Sequence, residues 1–88
     1  MKKFKLTWGE GSIMSIHKVY RTMTVEAESI DKVDPRVILP EEIKKNIYYI
    51  RTLITSETKR NYDYGSWSEF IEAEEEKKDW YFISILFN

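Results

Sequence analysis

The chain of 88 residues contains no cysteine, one histidine, two prolines and three glycines. Without cysteine there can be no disulfide framework, no thiolate metal site and no cysteine nucleophile. The single histidine, His17, cannot by itself supply the ligands of a zinc site or support a catalytic triad. The glycines match neither the dinucleotide-binding nor the P-loop pattern. The sequence therefore predicts no catalytic residue, no metal and no cofactor, and a protein that is not an enzyme.

Long apolar segments are also missing. The basic N-terminus, MKKFKLTWGEG, lacks the apolar run that follows such a start in a signal peptide, and no window is long enough to cross a membrane. Hydrophobic residues make up 42% of the chain and charged residues 33%, which is a globular composition. A chain of this length predicts one domain, over residues 1–88. We expect a small cytoplasmic protein with no membrane partner.

Acidic charge is concentrated towards the C-terminus. The net charge is −1, but residues 66–88 carry six Asp/Glu against two Lys. Nothing here resembles the strong basic excess of a typical nucleic-acid binder. This acidic segment can form the solvated side of a helix or a docking surface for a basic partner. On the second interpretation, its partner-binding residues are Glu72, Glu75, Glu76 and Asp79.

The N-terminal third of the sequence has the character of β-strands. Residues 2–8, KKFKLTW, alternate between apolar and polar side chains, which predicts a half-buried strand. The sequence GEGS, residues 9–12, predicts a turn. Residues 13–29 are rich in β-branched side chains, but their apolar positions change parity. This change indicates either a strand with a bulge near His17 or a strand whose pairing begins only there, with a helix over residues 13–23 as a further alternative.

The middle of the chain predicts short helical pieces. Ser29 is a possible N-cap of a short helical turn that Pro35 ends. Pro40 is expected at the first position of a helix, with two glutamates in its first turn. Residues 47–55, IYYIRTLIT, fit both helical spacing and a strand. Their β-branched and aromatic content favours the strand.

The last third predicts a loop, a helix and a strand. Residues 57–65, ETKRNYDYG, are expected to form a polar loop. Ser66 and Glu69 have the spacing of a capping box, which predicts a helix over about residues 67–78. The rival interpretation is a hairpin in which FIEAEEE forms a strand. The final strand is expected over Trp80–Phe87.

Together these elements predict an α+β fold, in which a mostly antiparallel four-stranded sheet packs against one main helix in two layers. In the final strand, Trp80, Phe82 and Leu86 would share one face. That face is either covered within a central strand or forms a homodimer contact.

A second candidate for partner binding is the segment KRNYDYGSW, residues 59–67. Tyrosine, serine, glycine and asparagine with an arginine and a tryptophan are typical of adaptable binding loops. We therefore interpret Arg60, Tyr62, Tyr64 and Trp67 as partner-binding residues. The same aromatic side chains could instead form a minor core, or stack on unpaired bases.

The segment YRTMTVEAES, residues 20–29, resembles a strand-to-helix junction of many small proteins of phages and mobile elements. In that junction VEAES closes a strand and the serine opens the next helix, although Pro35 here stops the helix early. The size, the Ile/Lys/Glu/Tyr-rich composition and the absence of catalytic residues also resemble small phage-encoded anti-defence proteins, including anti-CRISPRs. The resemblance implies a protein that inhibits a larger partner.

These observations favour a non-enzymatic protein-binding module, an inhibitor of a larger host or defence protein that acts by occupying its surface. The acidic segment and the aromatic segment 59–67 would make the contact. The alternative is a nucleic-acid-binding module that uses a sheet face carrying Lys3, Lys5, Lys18 and Arg21.

Overall fold

A computed structural model describes residues 1–12, 15–64 and 68–76 of the chain. They form one antiparallel sheet of five strands, in the spatial order β2-β1-β5-β4-β3. The strands are β1 (Lys2–Ser12), β2 (Ser15–Ala27), β3 (Arg51–Thr55), β4 (Lys59–Asp63) and β5 (Glu69–Glu75). In this order β5 lies near the centre of the sheet, whereas β2 and β3 are its two edges.

The predicted α+β fold with one main helix is wrong. The described residues are mostly β, with one short helix, α1 (Glu41–Lys44), and two 3₁₀ turns, Ile30–Lys32 and Pro35–Ile38. Residues 69–75 of the predicted helix form β5 instead, hydrogen-bonded to β1 on one side and β4 on the other. Pairing on both sides outweighs the helix propensity of the Glu and Ala residues in this segment.

The strand prediction for residues 2–8 is confirmed, and β1 is longer than expected. The sequence GEGS does not form a turn, because β1 continues through it to Ser12. The predicted bulge near His17 is confirmed. The register between β1 and β2 slips twice, leaving first Tyr20 and then His17 without a partner in β1. The alternative helix over residues 13–23 is wrong, since Ser15–Ala27 is β2.

Two glycines allow β2 to approach β1 at these slips. A Cβ atom added at Gly9 would overlap the carbonyl oxygen of Lys18, and one added at Gly11 would overlap that of Ser15. The glycines of GEGS are therefore required by close backbone contact rather than by a turn.

The connection from β2 to β3 covers one face of the sheet. Ser29 precedes the first 3₁₀ turn in an extended conformation, although its side chain makes no cap hydrogen bond. Pro35 begins the second 3₁₀ turn rather than ending a helix. Pro40 is the N-cap of α1, one position earlier than predicted, and the two glutamates of the first turn follow as expected. Within the described residues, no helix is long and apolar enough to span a membrane.

The predictions for the β3–β4 region are partly confirmed. Residues 51–55 form a strand, but residues 47–50 have no regular structure. The loop predicted over residues 57–65 is wrong for Lys59–Asp63, which is β4. Strands β3 and β4 form a hairpin, in which the backbone amide of Ser56 donates to the carbonyl of Lys59 at 2.8 Å.

The core lies between the sheet and the connection that covers it. Alternate residues of β1, β4 and β5 point towards the connection, and their side chains are buried against it. The sheet supplies Phe4, Leu6, Tyr62, Ile71 and Ala73 to this core, and the connection supplies Ile30, Val33, Ile38 and Leu39. Asn61 and Phe70 are also buried, although their positions in β4 and β5 place them on the opposite face. The predicted strand Trp80–Phe87, with its apolar face, lies outside the described residues.

Candidate functional site

A groove of about 270 Å³ opens beside the start of β3. Residues 34–36 form one wall, residues 47–50 form the other, and Tyr62 of β4 lies at its base. We call it the tyrosine groove, because three of its lining residues are Tyr48, Tyr49 and Tyr62. Its lining combines three tyrosines, two isoleucines and Pro35 with the charged Asp34 and Arg36, so polar and apolar atoms contribute in similar measure.

Two of the tyrosines are at the mouth of the groove. Tyr48 is 96% exposed and Tyr49 is 65% exposed, whereas Ile47 and Ile50 on either side pack against the core. The two isoleucines therefore anchor the segment and leave both phenol rings in solvent. Large exposed aromatic side chains on a rigid support are typical of protein-contact surfaces.

The opposite wall is stabilised by an ion pair between neighbours. The backbone amide of Arg36 donates to the Asp34 carboxylate at 3.0 Å, and the Nε atom of Arg36 donates to the same oxygen at 3.1 Å. Burial opposes ionisation of Asp34, but these hydrogen bonds from Arg36 outweigh it and lower the pKa of Asp34. The two charges largely cancel, so this wall offers polar groups without a net charge.

Tyr62 of β4 contributes buried surface beneath the groove. The residue is 4% exposed, and its hydroxyl oxygen is inaccessible to solvent. Burial raises the pKa of Tyr62, and the charge and hydrogen bonding of the nearby Arg60 oppose that rise. The Arg60 guanidinium also donates to Asp31 at 2.7 Å and to the Thr55 hydroxyl at 2.9 Å. The polar end of Tyr62 therefore lies within the fold, beside Arg60.

The structure places the predicted aromatic site residues in the core rather than on a loop. Arg60 and Tyr62 belong to β4, and their side chains point towards the covered face of the sheet. Tyr64 follows β4 and is 7% exposed. Of this set, only Tyr62 lines the tyrosine groove. Trp67 lies outside the described residues.

The acidic residues predicted to form one docking surface do not share a face. Glu72 and Glu75 lie on opposite faces of β5, because successive strand residues alternate. The Glu72 carboxylate is 3.5 Å from the ammonium group of Lys59. Glu76 accepts a hydrogen bond from the Thr24 hydroxyl at 3.1 Å. A helix would have kept more of these charges on one side, whereas β5 separates and partly neutralises them. Asp79 lies outside the described residues.

The cations of the alternative nucleic-acid surface are similarly divided. Lys3 and Lys5 point to the face of β1 away from the core. The ammonium group of Lys18 lies over the ring of Tyr20, 5.6 Å from its centroid. Arg21 donates to a main-chain carbonyl of the second 3₁₀ turn at 3.3 Å, on the covered side of the sheet. These four residues do not form the continuous basic stripe that phosphate contacts require.

A second polar cluster occupies the end of β1. The ring of Trp8 meets the ring of Tyr20 edge to face, with centroids 5.2 Å apart, and the Tyr20 hydroxyl donates to the Glu10 carboxylate. The Trp8 indole nitrogen and the Tyr64 hydroxyl are buried close to each other, and Glu69 also lies within hydrogen-bonding reach of Tyr64. Burial and then the charge of Glu69 raise the pKa of Tyr64. The phenols of Tyr20 and Tyr64 therefore stay protonated and neutral, which favours a structural role over acid–base chemistry.

Within residues 1–12, 15–64 and 68–76, no three His, Asp or Glu side chains are grouped closely enough to hold a metal ion. His17, the only histidine, is an exposed residue at the second slip of β2.

Sequence reasoning missed Tyr48 and Tyr49 as surface residues. The pattern IYYI was assigned wholly to secondary structure, because isoleucines at positions 43, 47, 50 and 54 fit a helix and their β-branching fits a strand. In a regular strand, adjacent tyrosines would point to opposite faces, and one ring would be buried. Because Ile47 and Ile50 on either side are both partly buried, the two tyrosines between them can instead both be exposed.

Comparison with known proteins identifies no relative: no family model, no curated protein and no solved structure matches the chain.

Proposed function

We propose that the protein is a non-enzymatic protein-binding module that docks through the tyrosine groove and inhibits a larger host or defence protein by occupying its surface. The observation that supports this most is the pair of exposed rings, Tyr48 and Tyr49, which line a groove together with the buried Tyr62. Such rings give contact area at little cost in conformational entropy.

The openness of the groove favours a protein partner over a small-molecule ligand. Sites for cofactors and metabolites usually bury most of the ligand's surface. The tyrosine groove, of about 270 Å³, is open to solvent, and Tyr48 and Tyr49 beside it are exposed. A space of this size suits one large side chain of a partner, with Tyr48 and Tyr49 contacting the surface around it.

The docking surface proposed here differs from the one expected from the sequence. Tyr62 remains part of it, whereas Tyr64 and the acidic residues of β5 do not line the groove. The nucleic-acid alternative receives less support, because its four cations are divided between two faces. The inhibitory role and the cytoplasmic location belong to the same proposal. The first is supported by the resemblance to anti-defence proteins, and the second by the sequence, which has neither the pattern of a signal peptide nor a membrane-length apolar window.

A pull-down with matched variants tests the proposal. The bait is the full chain, and the lysate comes from the source organism or its host. Tyr48→Ser combined with Tyr49→Ser removes both rings without disturbing the core, because neither ring is buried. Val19→Ser is the control, since Val19 is an apolar residue of β2 that is 56% exposed. We expect a protein retained by the wild type and by Val19→Ser, and lost with the double variant.

Two results would contradict the proposal. One is a partner retained equally by the double variant, which would place the docking surface elsewhere. The other is capture of nucleic acid alone, with a steep loss of binding as salt is raised, which would favour the alternative module.

A further inference from the structure

Two side chains are buried on the second face of the sheet, which is the face opposite the connection between β2 and β3. Phe70 is 6% exposed and Asn61 is 1% exposed, yet Phe70 is not part of the core that the connection covers. Phe70 of β5 lies opposite Gly9 of β1 and Asp63 of β4, and Asn61 of β4 lies opposite Glu72 of β5. Both side chains are buried within a single chain, so this chain supplies their cover.

The neighbours of Phe70 within the sheet do not bury its ring. Gly9 has no side chain, and the Asp63 carboxylate is turned towards Arg51, at 2.6 Å. Side chains stand roughly perpendicular to a sheet, so a large ring on its face is buried from above. The connection lies against the other face. The cover therefore comes from residues beyond the five strands and the connection.

The cover is confined to the part of the second face around β4. Towards β2 the same face is exposed, as shown by Lys5 of β1 and its cross-strand neighbours Thr24 and Glu74. These polar side chains remain in solvent, whereas Phe70 and Asn61 do not. A short apolar segment lying on one part of the face accounts for this division.

We infer that residues 77–88 of the same chain dock on the second face over Phe70 and Asn61, as a strap that closes this side of the sheet. The inference goes beyond the proposed function. It assigns the apolar side chains of the segment to a contact within the monomer rather than to a homodimer. The tyrosine groove, on the side of the connection, remains the docking surface for a partner.

The length and composition of this segment favour it as the occupant. It has twelve residues, KKDWYFISILFN, and spans up to about 40 Å when extended. It follows Glu76, whose amide donates to the Lys3 carbonyl at 2.8 Å. The way back from Glu76 to Phe70 is about 20 Å of extended backbone. The segment can therefore turn and reach both buried side chains, and most of its residues are large and apolar.

The two shorter segments that could supply the cover are less suited. Residues 65–67 join β4 to β5 at one end of the sheet, whereas Asn61 lies opposite Glu72, about 13 Å further along β5. Residues 13–14 join β1 to β2, and β5 lies between that hairpin and β4. Residues 77–88 are the segment long enough to cover both Phe70 and Asn61.

The side-chain amide of Asn61 provides a direct measurement of the cover. Its nitrogen makes no hydrogen bond in the described residues, so its protection from solvent depends on burial. Removal of the cover should speed the exchange of its protons with water on the order of tenfold. NMR of the full chain measures this exchange, and the backbone amide signals of β1 and β2 show whether each variant is folded.

Two double variants of the full chain test the strap. Trp80→Ser with Phe82→Ser removes rings from one set of alternate residues, and Tyr81→Ser with Ile83→Ser removes side chains from the other set. We expect faster exchange at Asn61 in the double variant whose altered side chains face the sheet. Trp67→Ser is the control and should leave Asn61 protected.

The remaining outcomes would overturn the inference. Unchanged exchange at Asn61 in both double variants would exclude residues 77–88 as the cover, and faster exchange in Trp67→Ser alone would assign the cover to residues 65–67. Protection of Asn61 that rises with protein concentration would identify a second copy as the occupant. None of these results alters the capture of a partner through Tyr48 and Tyr49, so the proposed function is tested separately.

Discussion

The two edge strands of the sheet, β2 and β3, differ in length, in regularity and in the side chains that surround them. Strand β2 is 13 residues long and most of its side chains are exposed, yet two register slips interrupt it. Strand β3 has five residues and one register irregularity, and it lies beside two exposed tyrosines and a groove. A long regular edge invites aggregation, so irregularity in β2 protects the molecule.

Different residues surround the two edge strands. Near the β2 edge Tyr20 packs on Trp8 and donates to Glu10. Beside β3 the rings of Tyr48 and Tyr49 are exposed, and Arg51 pairs with Asp63. The predictions below test each side of this contrast, from the largest expected effect to the smallest.

Of the substitutions considered, Gly9→Ala should lower the free energy of unfolding by the largest amount, through the pairing of β1 with β2. The new methyl group would overlap the Lys18 carbonyl oxygen, so the backbone of β2 must move away from β1. Overpacking of this kind costs about 1–3 kcal/mol, which denaturant unfolding would detect. The control is Thr22→Ala at an exposed position of β2, which should change the free energy of unfolding by about 0.5 kcal/mol or less. Equal stability of the two variants would mean that the slip does not depend on glycine.

Tyr62→Phe should leave the β3 side as stable as the wild type, or more stable by up to about 1 kcal/mol. It removes a buried hydroxyl that has no hydrogen bond of ordinary geometry in the described residues and keeps the ring in the core. Tyr64→Phe is the comparison variant, because its hydroxyl is also buried but lies near Trp8 and Glu69 instead of Arg60. If neither hydroxyl is strongly bonded, the two variants should unfold alike in denaturant. A loss of more than about 1 kcal/mol for Tyr62→Phe would show that Arg60 bonds this hydroxyl.

Strand β1 and the slip of β2 could be predicted from the sequence because their signals are local. The alternation of KKFKLTW and the change of apolar parity near His17 depend only on which side of a strand each residue faces. The sequence indicates strand β5 only as the rival to a helix, with FIEAEEE as the strand. Its sequence, EFIEAEE, has high helix propensity, and its alternation of buried Ile71 and Ala73 with glutamates has meaning only once β1 and β4 pair on both sides.

The aromatic residues proposed for the candidate site differ between the sequence and the structure. Tyrosine-rich composition directed attention to residues 59–67, whose tyrosines Tyr62 and Tyr64 are buried in the core. The exposed pair, Tyr48 and Tyr49, emerged only from the fold, because Ile47 and Ile50 had to be anchored before the rings between them could be exposed. Composition therefore indicates that contact residues exist, whereas burial decides which residues they are.

The smallest expected effect is a dependence of stability on alkaline pH at the β2 edge. The hydrogen bond to Glu10, with burial and the charges of Glu10 and Glu69, raises the pKa of Tyr20 to about 12, above its ordinary value of 10.0. The fold therefore favours the protonated phenol. Its stabilisation is complete below pH 10.0 and is lost as the pH rises from there to about 12. Solvent at this exposed site keeps the effect small.

Denaturant unfolding at a series of alkaline pH values would measure this dependence. Tyr20→Phe should reduce the loss of stability with rising pH, and Glu10→Gln should do the same, because each removes one partner of the hydrogen bond. The double variant should add little to either single variant, since both act on one interaction. If the effects of the two substitutions add fully in the double variant, Tyr20 and Glu10 stabilise the β2 edge separately. The contrast between the two edge strands would then rest on the register slips of β2.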